Sequence, residues 1–129
     1  MKVVIADDSP VVVERLADLL REVRGVKIVG RASDAPEALR CIERMNPDIV
    51  ILDLQMPGGS GIDILRAIRP ERPGLRVLVC TNYIYPQYRN ECFAAGANYF
   101  LDKSAEFEKI PGIIRKWIRT AAKTTPAAR

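Results

Sequence analysis

The sequence predicts an α/β domain, a doubly wound five-stranded parallel sheet with five helices packed on its two faces. Three observations predict it. Short β-rich apolar runs alternate with helical patterns in the order βαβαβαβαβα. The run Ile49-Val50-Ile51-Leu52 is apolar at every position, as expected of a strand in a parallel sheet covered by helices on both faces. The 129 residues, 48% of them hydrophobic, suit one domain with its own core.

The elements follow in order. Val3-Val4-Ile5-Ala6 is a compact strand. Ser9-Pro10 supplies a helix N-cap and a proline at the first helical position. Val12, Leu16, Leu19, Leu20 and Val23 then recur at helical spacing, and Gly25 ends the helix. Val26 to Ala32 is the second strand. Asp34, with Glu37 three residues on, makes a capping-box-like start. Ala35, Ala38, Leu39, Ile42 and Met45 mark the helix, which Asn46-Pro47 closes. Ile49 to Leu52 is the third strand. The stretch Gly58 to Gly61 is a turn into a short helix carrying Ile64, Leu65 and Ile68, stopped by Pro70. Val77 to Cys80 is the fourth strand. The next helix begins near Pro86, carries Tyr88, Cys92 and Phe93, and ends at Gly96. Tyr99 to Leu101 is the fifth strand. The last helix sets Ile110, Ile113, Ile114, Trp117 and Ile118 on one stripe that reads as core, with Pro111 in its first turn. Thr120 to Arg129 reads as frayed, so the domain spans 1–120 and 121–129 is a flexible C-terminal tail.

Composition narrows the function. No apolar run reaches the length that spans a bilayer. The N-terminus meets Asp7 and Asp8 too early for a secretory signal. A soluble cytoplasmic protein is expected. Cys41, Cys80 and Cys92 are odd in number and lack C-x-x-C spacing, so they read as small buried hydrophobes. The chain has no histidine, which excludes Ser-His-Asp and Cys-His catalysis on this chain. The net charge of +4 is scattered. The mild basic bias of Arg115, Lys116, Arg119, Lys123 and Arg129 reads as a solvated helix face, without direct nucleic acid contact.

The reactive groups lie at the strand ends. Strand one runs into Asp7-Asp8, strand three into Asp53, strand four into Thr81 and strand five into Asp102-Lys103. In open α/β sheets, ligands sit beyond the carboxyl ends of strands, where the strand order reverses. In the order 2-1-3-4-5, which alternation alone does not dictate, that point lies between strands one and three, and the three acids converge there. Clustered carboxylates repel, and a hard divalent cation such as Mg²⁺ relieves the repulsion. A carboxylate can also attack phosphorus to give an aspartyl phosphate. The transferring group then needs charge neutralisation, which a metal, an ammonium and a hydroxyl supply; Lys103 and Thr81 are the right types at the right edge.

At residues 2 to 119 the chain resembles the receiver domains of two-component response regulators. The matching pieces are Asp7-Asp8, Asp53-Leu54-Gln55-Met56-Pro57 with Gly61, Thr81, Phe100 and Lys103, in the family's order and spacing. The resemblance implies a flavodoxin-like three-layer sandwich with the strand order 2-1-3-4-5, the order of flavodoxin and of this family. It also implies Asp53 as phosphoacceptor, with Asp7, Asp8, Asp53 and the Gln55 backbone carbonyl around Mg²⁺. Lys103 pairs with the phosphoryl oxygens. Thr81 moves to the phosphate, Phe100 turns inward, and a face of helix four, strand five and helix five switches. The implied partners are a sensor histidine kinase or phosphotransfer protein and an unknown downstream protein, with the domain monomeric or dimerising on phosphorylation. It would be no enzyme beyond catalysing its own phosphorylation and dephosphorylation.

Three features depart from the commonest pattern. Lys103 is followed by Ser104 where the family usually has a cis-linked proline. A cis bond before serine costs about 3 kcal/mol, so cis and trans both stay open. Asn82 follows Thr81 where Ala or Gly is common, and its bulk is expected to restrict small phosphodonors. Gln55 and Tyr83, with Asn82, are expected to tune the reaction rates. Tyr83, Tyr85 and Tyr88 fit either a partner patch or half-buried packing. Two other functions are compatible with the fold: a receiver-like binding module that signals without phosphorylation, and a receiver belonging to a longer DNA-binding regulator. A phosphohydrolase with an aspartate nucleophile is disfavoured, because Gln55 stands where its acid/base aspartate would be.

Overall fold

The computed structural model describes residues 1–124. Its elements are β1 (Lys2–Ala6), α1 (Pro10–Arg21), β2 (Lys27–Ala32), α2 (Ala35–Met45), β3 (Ile49–Leu52), α3 (Gly61–Ile68), β4 (Arg76–Thr81), α4 (Pro86–Ala94), β5 (Tyr99–Asp102) and α5 (Ile110–Thr124). All five strands are parallel, in the order β2-β1-β3-β4-β5, as the resemblance implies. The stretch after β3 holds a two-residue antiparallel ribbon, Gln55–Met56 against Gly59–Ser60. Short 3₁₀ turns occupy Arg69–Glu71 and Phe107–Lys109.

The period-two alternation of a strand sends successive side chains to opposite faces, and both faces here are apolar. Val4, Val50, Leu52, Val77 and Val79 pack with Ala38, Ile42, Ile64, Leu65 and Cys92, so α2, α3 and α4 cover one face. Val3, Ile5, Ile49, Ile51 and Leu78 pack with Leu16, Leu20, Ile110, Ile114 and Trp117, so α1 and α5 cover the other. Each such side chain contributes about 1.5–3 kcal/mol by leaving water. The Trp117 stripe is core as expected, its ring edge-on to Tyr99 with centroids 5.5 Å apart. All three cysteines are buried and free.

The caps act where the sequence places them. Ser9 Oγ accepts from the Val12 N–H at 3.3 Å, and Asp34 Oδ1 accepts from the Glu37 N–H at 2.8 Å. The return half of the second cap differs: Glu37 Oε1 accepts from the Ser33 N–H at 2.8 Å, one residue before the cap itself. Asn46 ends α2 in the left-handed region, at φ 48°. Gly25 does not end α1. That helix stops at Arg21, and Gly25 serves the later turn into β2 with φ +90°.

Helix α5 runs on through Thr124. The stretch from Thr120 contains two alanines, the best helix former, and the Thr120 hydroxyl donates to the Lys116 carbonyl at 2.9 Å. Residues 125–129 of the expected tail lie outside the described residues. Among the described residues no helix is long and apolar enough to cross a membrane.

Candidate functional site

Backbone hydrogen bonds between strand ends fix the candidate residues in space. The Asp7 N–H donates to the Ala32 carbonyl, and the Asp53 N–H donates to the Ala6 carbonyl, both at 3.0 Å. The second bond sets Asp53 beside the Asp7-Asp8 pair. On the other side, Thr81 lies opposite Asp102, and the Lys103 N–H donates to the Thr81 carbonyl at 2.8 Å. Four separate chain segments are therefore held in one place by the ladder of the sheet.

The side chains converge as expected. Lys103 Nζ donates to Asp7 Oδ2 at 2.8 Å and to Asp53 Oδ2 at 3.1 Å. Asp7, Asp8 and Asp53 each present a carboxylate oxygen within 4.8 Å of the others. Asp7 Oδ1 also accepts from the Ser9 N–H at 2.9 Å, which orients that carboxylate. A cleft of ≈ 270 Å³ opens beside Asp7 and Asp8, lined in part by Glu14, Arg31, Ser33 and Glu37.

The electrostatics of the cluster are unbalanced. Asp53 is 6% exposed, and burial pushes its carboxyl above the ordinary value; the Lys103 ammonium opposes this and the Asp7 carboxylate adds to it. Burial of Lys103 works against its charge, but Asp7 and Asp53 together outweigh it and hold the ammonium above its usual value. One ammonium thus faces three carboxyl groups. Asp53 Oδ1 is buried with no hydrogen-bond partner. An unpartnered buried acceptor inside an acidic cluster is unfavourable unless a cation meets it. The donor set, all hard oxygens, fits Mg²⁺ or a similar divalent ion.

The remaining expected residues are placed as follows. Thr81 is fully buried at the end of β4, its Oγ1 accepting from the Tyr83 N–H at 3.1 Å. Phe100, which the resemblance has turning inward on activation, is already inward and 5% exposed, with the Arg89 guanidinium 6.0 Å from its ring centre. Gln55 begins the ribbon with its side chain exposed. Asn82 is exposed and joined to Ser104 by a hydrogen bond of 3.3 Å. The Lys103–Ser104 peptide is trans, as are all described peptide bonds. Without proline the trans preference dominates. Tyr88 sits edge-on to both Tyr83 and Tyr85, at 6.4 Å and 6.0 Å, while Tyr83 and Tyr85 remain exposed.

Gly61, one of the pieces that carry the resemblance, has a local reason: a Cβ there would lie 2.3 Å from the Asp53 carbonyl oxygen, so only glycine lets α3 start this close to the site. One supporting residue, Arg69, escapes the sequence reading. Its guanidinium donates to the carbonyls of Arg72, Leu75 and Gly96 at 2.8, 2.7 and 2.6 Å, pinning the loops before β4 and β5 at the opposite edge of the sheet. An arginine before a proline at a helix end carries no signal of such a role.

Comparison with known proteins agrees with this geometry. The family model for the response regulator receiver domain matches residues 3–115. An uncharacterized response regulatory protein of Vibrio cholerae is 33% identical over 124 residues, covering 96% of this chain and 51% of its own length. The chain likewise spans about half the length of the Pseudomonas aeruginosa response regulator GacA, 54%, at 28% identity. Among solved structures, the signal receiver domain of the putative response regulator NarL from Mycobacterium tuberculosis superposes with a TM-score of 0.79 at 31% identity, over 95% of each chain. The CheX-CheY-BeF3-Mg+2 complex of Borrelia burgdorferi gives a TM-score of 0.76 at 28% identity, covering 88% of this chain and 89% of that one. The chain belongs to the response regulator receiver domain family of two-component signalling.

Proposed function

We propose that Asp53 accepts a phosphoryl group from a phosphohistidine on a sensor kinase or phosphotransfer protein, and that the domain relays this event to a downstream partner. The observation that carries the reading is Lys103 Nζ held between Asp7 and Asp53 at 2.8 and 3.1 Å, beside a third carboxylate and an unpartnered Asp53 oxygen. A carboxylate oxygen of Asp53 forms the new bond to phosphorus as the donor's phosphorus–nitrogen bond breaks, and the leaving imidazole keeps or gains a proton. Lys103 lies within reach of the incoming equatorial oxygens and balances their charge. Asp7, Asp8, Asp53 and the Gln55 carbonyl would hold Mg²⁺, which when bound supplies further neutralisation of the phosphoryl oxygens. The Thr81 hydroxyl, at the end of the adjacent strand, is the group that registers the phosphate.

The output follows from position. Thr81 ends β4, and Phe100 lies on the neighbouring strand β5 under Arg89 of α4. A movement of Thr81 is therefore felt at the surface of α4, β5 and α5, the proposed partner face. On this reading the domain works in the cytoplasm and is no enzyme beyond catalysing its own phosphorylation and dephosphorylation. Gln55 is no acid/base; with Tyr83 it tunes the lifetime of the phosphorylated state, while Asn82 restricts small phosphodonors.

Incubation with acetyl phosphate and Mg²⁺ tests the assignment. The wild-type chain should gain one phosphoryl group by intact mass, and Asp53→Asn should gain none. Equal labelling of Asp53→Asn and wild type would sink the assignment.

A further inference from the structure

Asp53 stands at the sheet edge where a donor arrives, yet it is 6% exposed, and the Lys103 side chain beside it is 11% exposed. The carboxylate is thus recessed among the loops that leave the strand ends. Two of these loops leave β4 and β5, one residue beyond Thr81 and Lys103. Backbone pairing holds the strands together up to the Lys103 N–H bond to the Thr81 carbonyl. Past that point side chains continue the link: Ser104 Oγ donates to Asn82 Oδ1 at 3.3 Å. Ser104 is itself anchored, its N–H donating to Asp102 Oδ1 at 2.8 Å, a bond a proline at this position could not make. On the other loop the Tyr83 N–H is held by Thr81 Oγ1 at 3.1 Å.

We propose that the Ser104–Asn82 hydrogen bond is a latch between the two loops, and that it sets how fast small, freely diffusing phosphodonors reach Asp53. The proposal rests on the reading of Asp53 as the phosphoacceptor. The latch is a neutral bond between exposed residues, so it opens thermally and changes rates a few-fold, not all-or-none. A docked protein donor brings binding energy that can keep the loops apart. A small molecule brings almost none, so the latch selects against it. Ser104 and Asn82 act through loop position and make no contact with the reacting atoms in this role.

The test measures phosphorylation rates of the full chain by acetyl phosphate and by phosphoramidate, with Mg²⁺, in wild type, Ser104→Ala, Asn82→Ala and the double variant. Ser104→Ala should raise the rate with both donors about threefold, and adding it to Asn82→Ala should raise the rate no further, because both remove the same bond. Ser104→Thr, which keeps the hydroxyl, should stay at the wild-type rate. Thermal melts confirm that each variant folds. The latch is overturned if Ser104→Ala reacts at or below the wild-type rate, whatever Asn82→Ala does, since Asn82 then acts by bulk alone. Multiplicative effects in the double variant overturn it as well. A wild-type chain that takes up no phosphoryl group from either donor overturns the phosphoacceptor reading first, and the latch with it.

Discussion

Asp53 is a destabilising residue in the fold that houses it. Its folded pKa lies above 3.8, the value of a free carboxyl, mainly through burial, with the Lys103 ammonium opposing. The native state therefore binds a proton more tightly than the unfolded chain does. Stability falls as pH rises from near 3.8 through the raised folded value. Lys103 has the opposite sign. Its folded pKa is raised, so its contribution is complete below 10.5 and is lost as pH rises through the folded value. Asp53→Asn should accordingly raise the metal-free melting temperature at pH 7, and the gain should vanish near pH 3. A lower melting temperature for the variant at pH 7 would contradict this account. These residues were legible in the sequence because each follows a strand directly. Their chemistry needs specific types, and the sheet leaves little freedom in where a strand end points. Phe100 was legible as a position but not as a state, because strand alternation gives the face of a side chain and not which rotamer it holds.

At the scale of elements, helix starts were read well and ends less so. Ser9 and Asp34 cap through their own side chains, a local interaction that spacing alone reveals. The end of α1 is decided by the turn Glu22 to Val26, which the periodicity runs through without marking. The ribbon after β3 was read only as a turn, because two residues per strand are too few to show alternation. Arg69 escapes the sequence because it acts on carbonyls distant in the chain that no pattern encodes. Gly61 offers a test at this scale. Its first-turn position in α3 presses on the Asp53 backbone, where an added Cβ meets the carbonyl oxygen at 2.3 Å and the carbonyl carbon at 3.1 Å. Backbone cannot yield as a side-chain tip does. Gly61→Ala should cost about 2 kcal/mol in urea unfolding and slow phosphorylation through displacement of Asp53. Wild-type stability with a wild-type rate would show that the segment shifts freely.

Across the whole molecule, one ammonium against three carboxyl groups makes cation binding and folding linked equilibria. A ligand that binds only the native state at ten times its dissociation constant stabilises by about 1.4 kcal/mol. Titration with Mg²⁺ should raise the melting temperature of the wild type accordingly, and excess EDTA should reverse the rise. Asp8→Asn should blunt the response, and a full response in that variant would remove Asp8 from the cation site. The core ties α4 and β5 to the strand that ends in Thr81: Val79 of β4 pairs with Phe100, whose ring centre lies 6.0 Å from the Arg89 guanidinium.

The proposed relay requires Asp53 to carry the phosphoryl group. An aspartyl phosphate is reduced by borohydride to homoserine, which marks its position permanently. After reaction with acetyl phosphate and Mg²⁺, borohydride treatment and peptide sequencing by mass spectrometry should find homoserine at position 53, and none when Mg²⁺ is omitted. Homoserine at Asp7, Asp8 or elsewhere, or none at 53 in a chain that has gained a phosphoryl group, would contradict it.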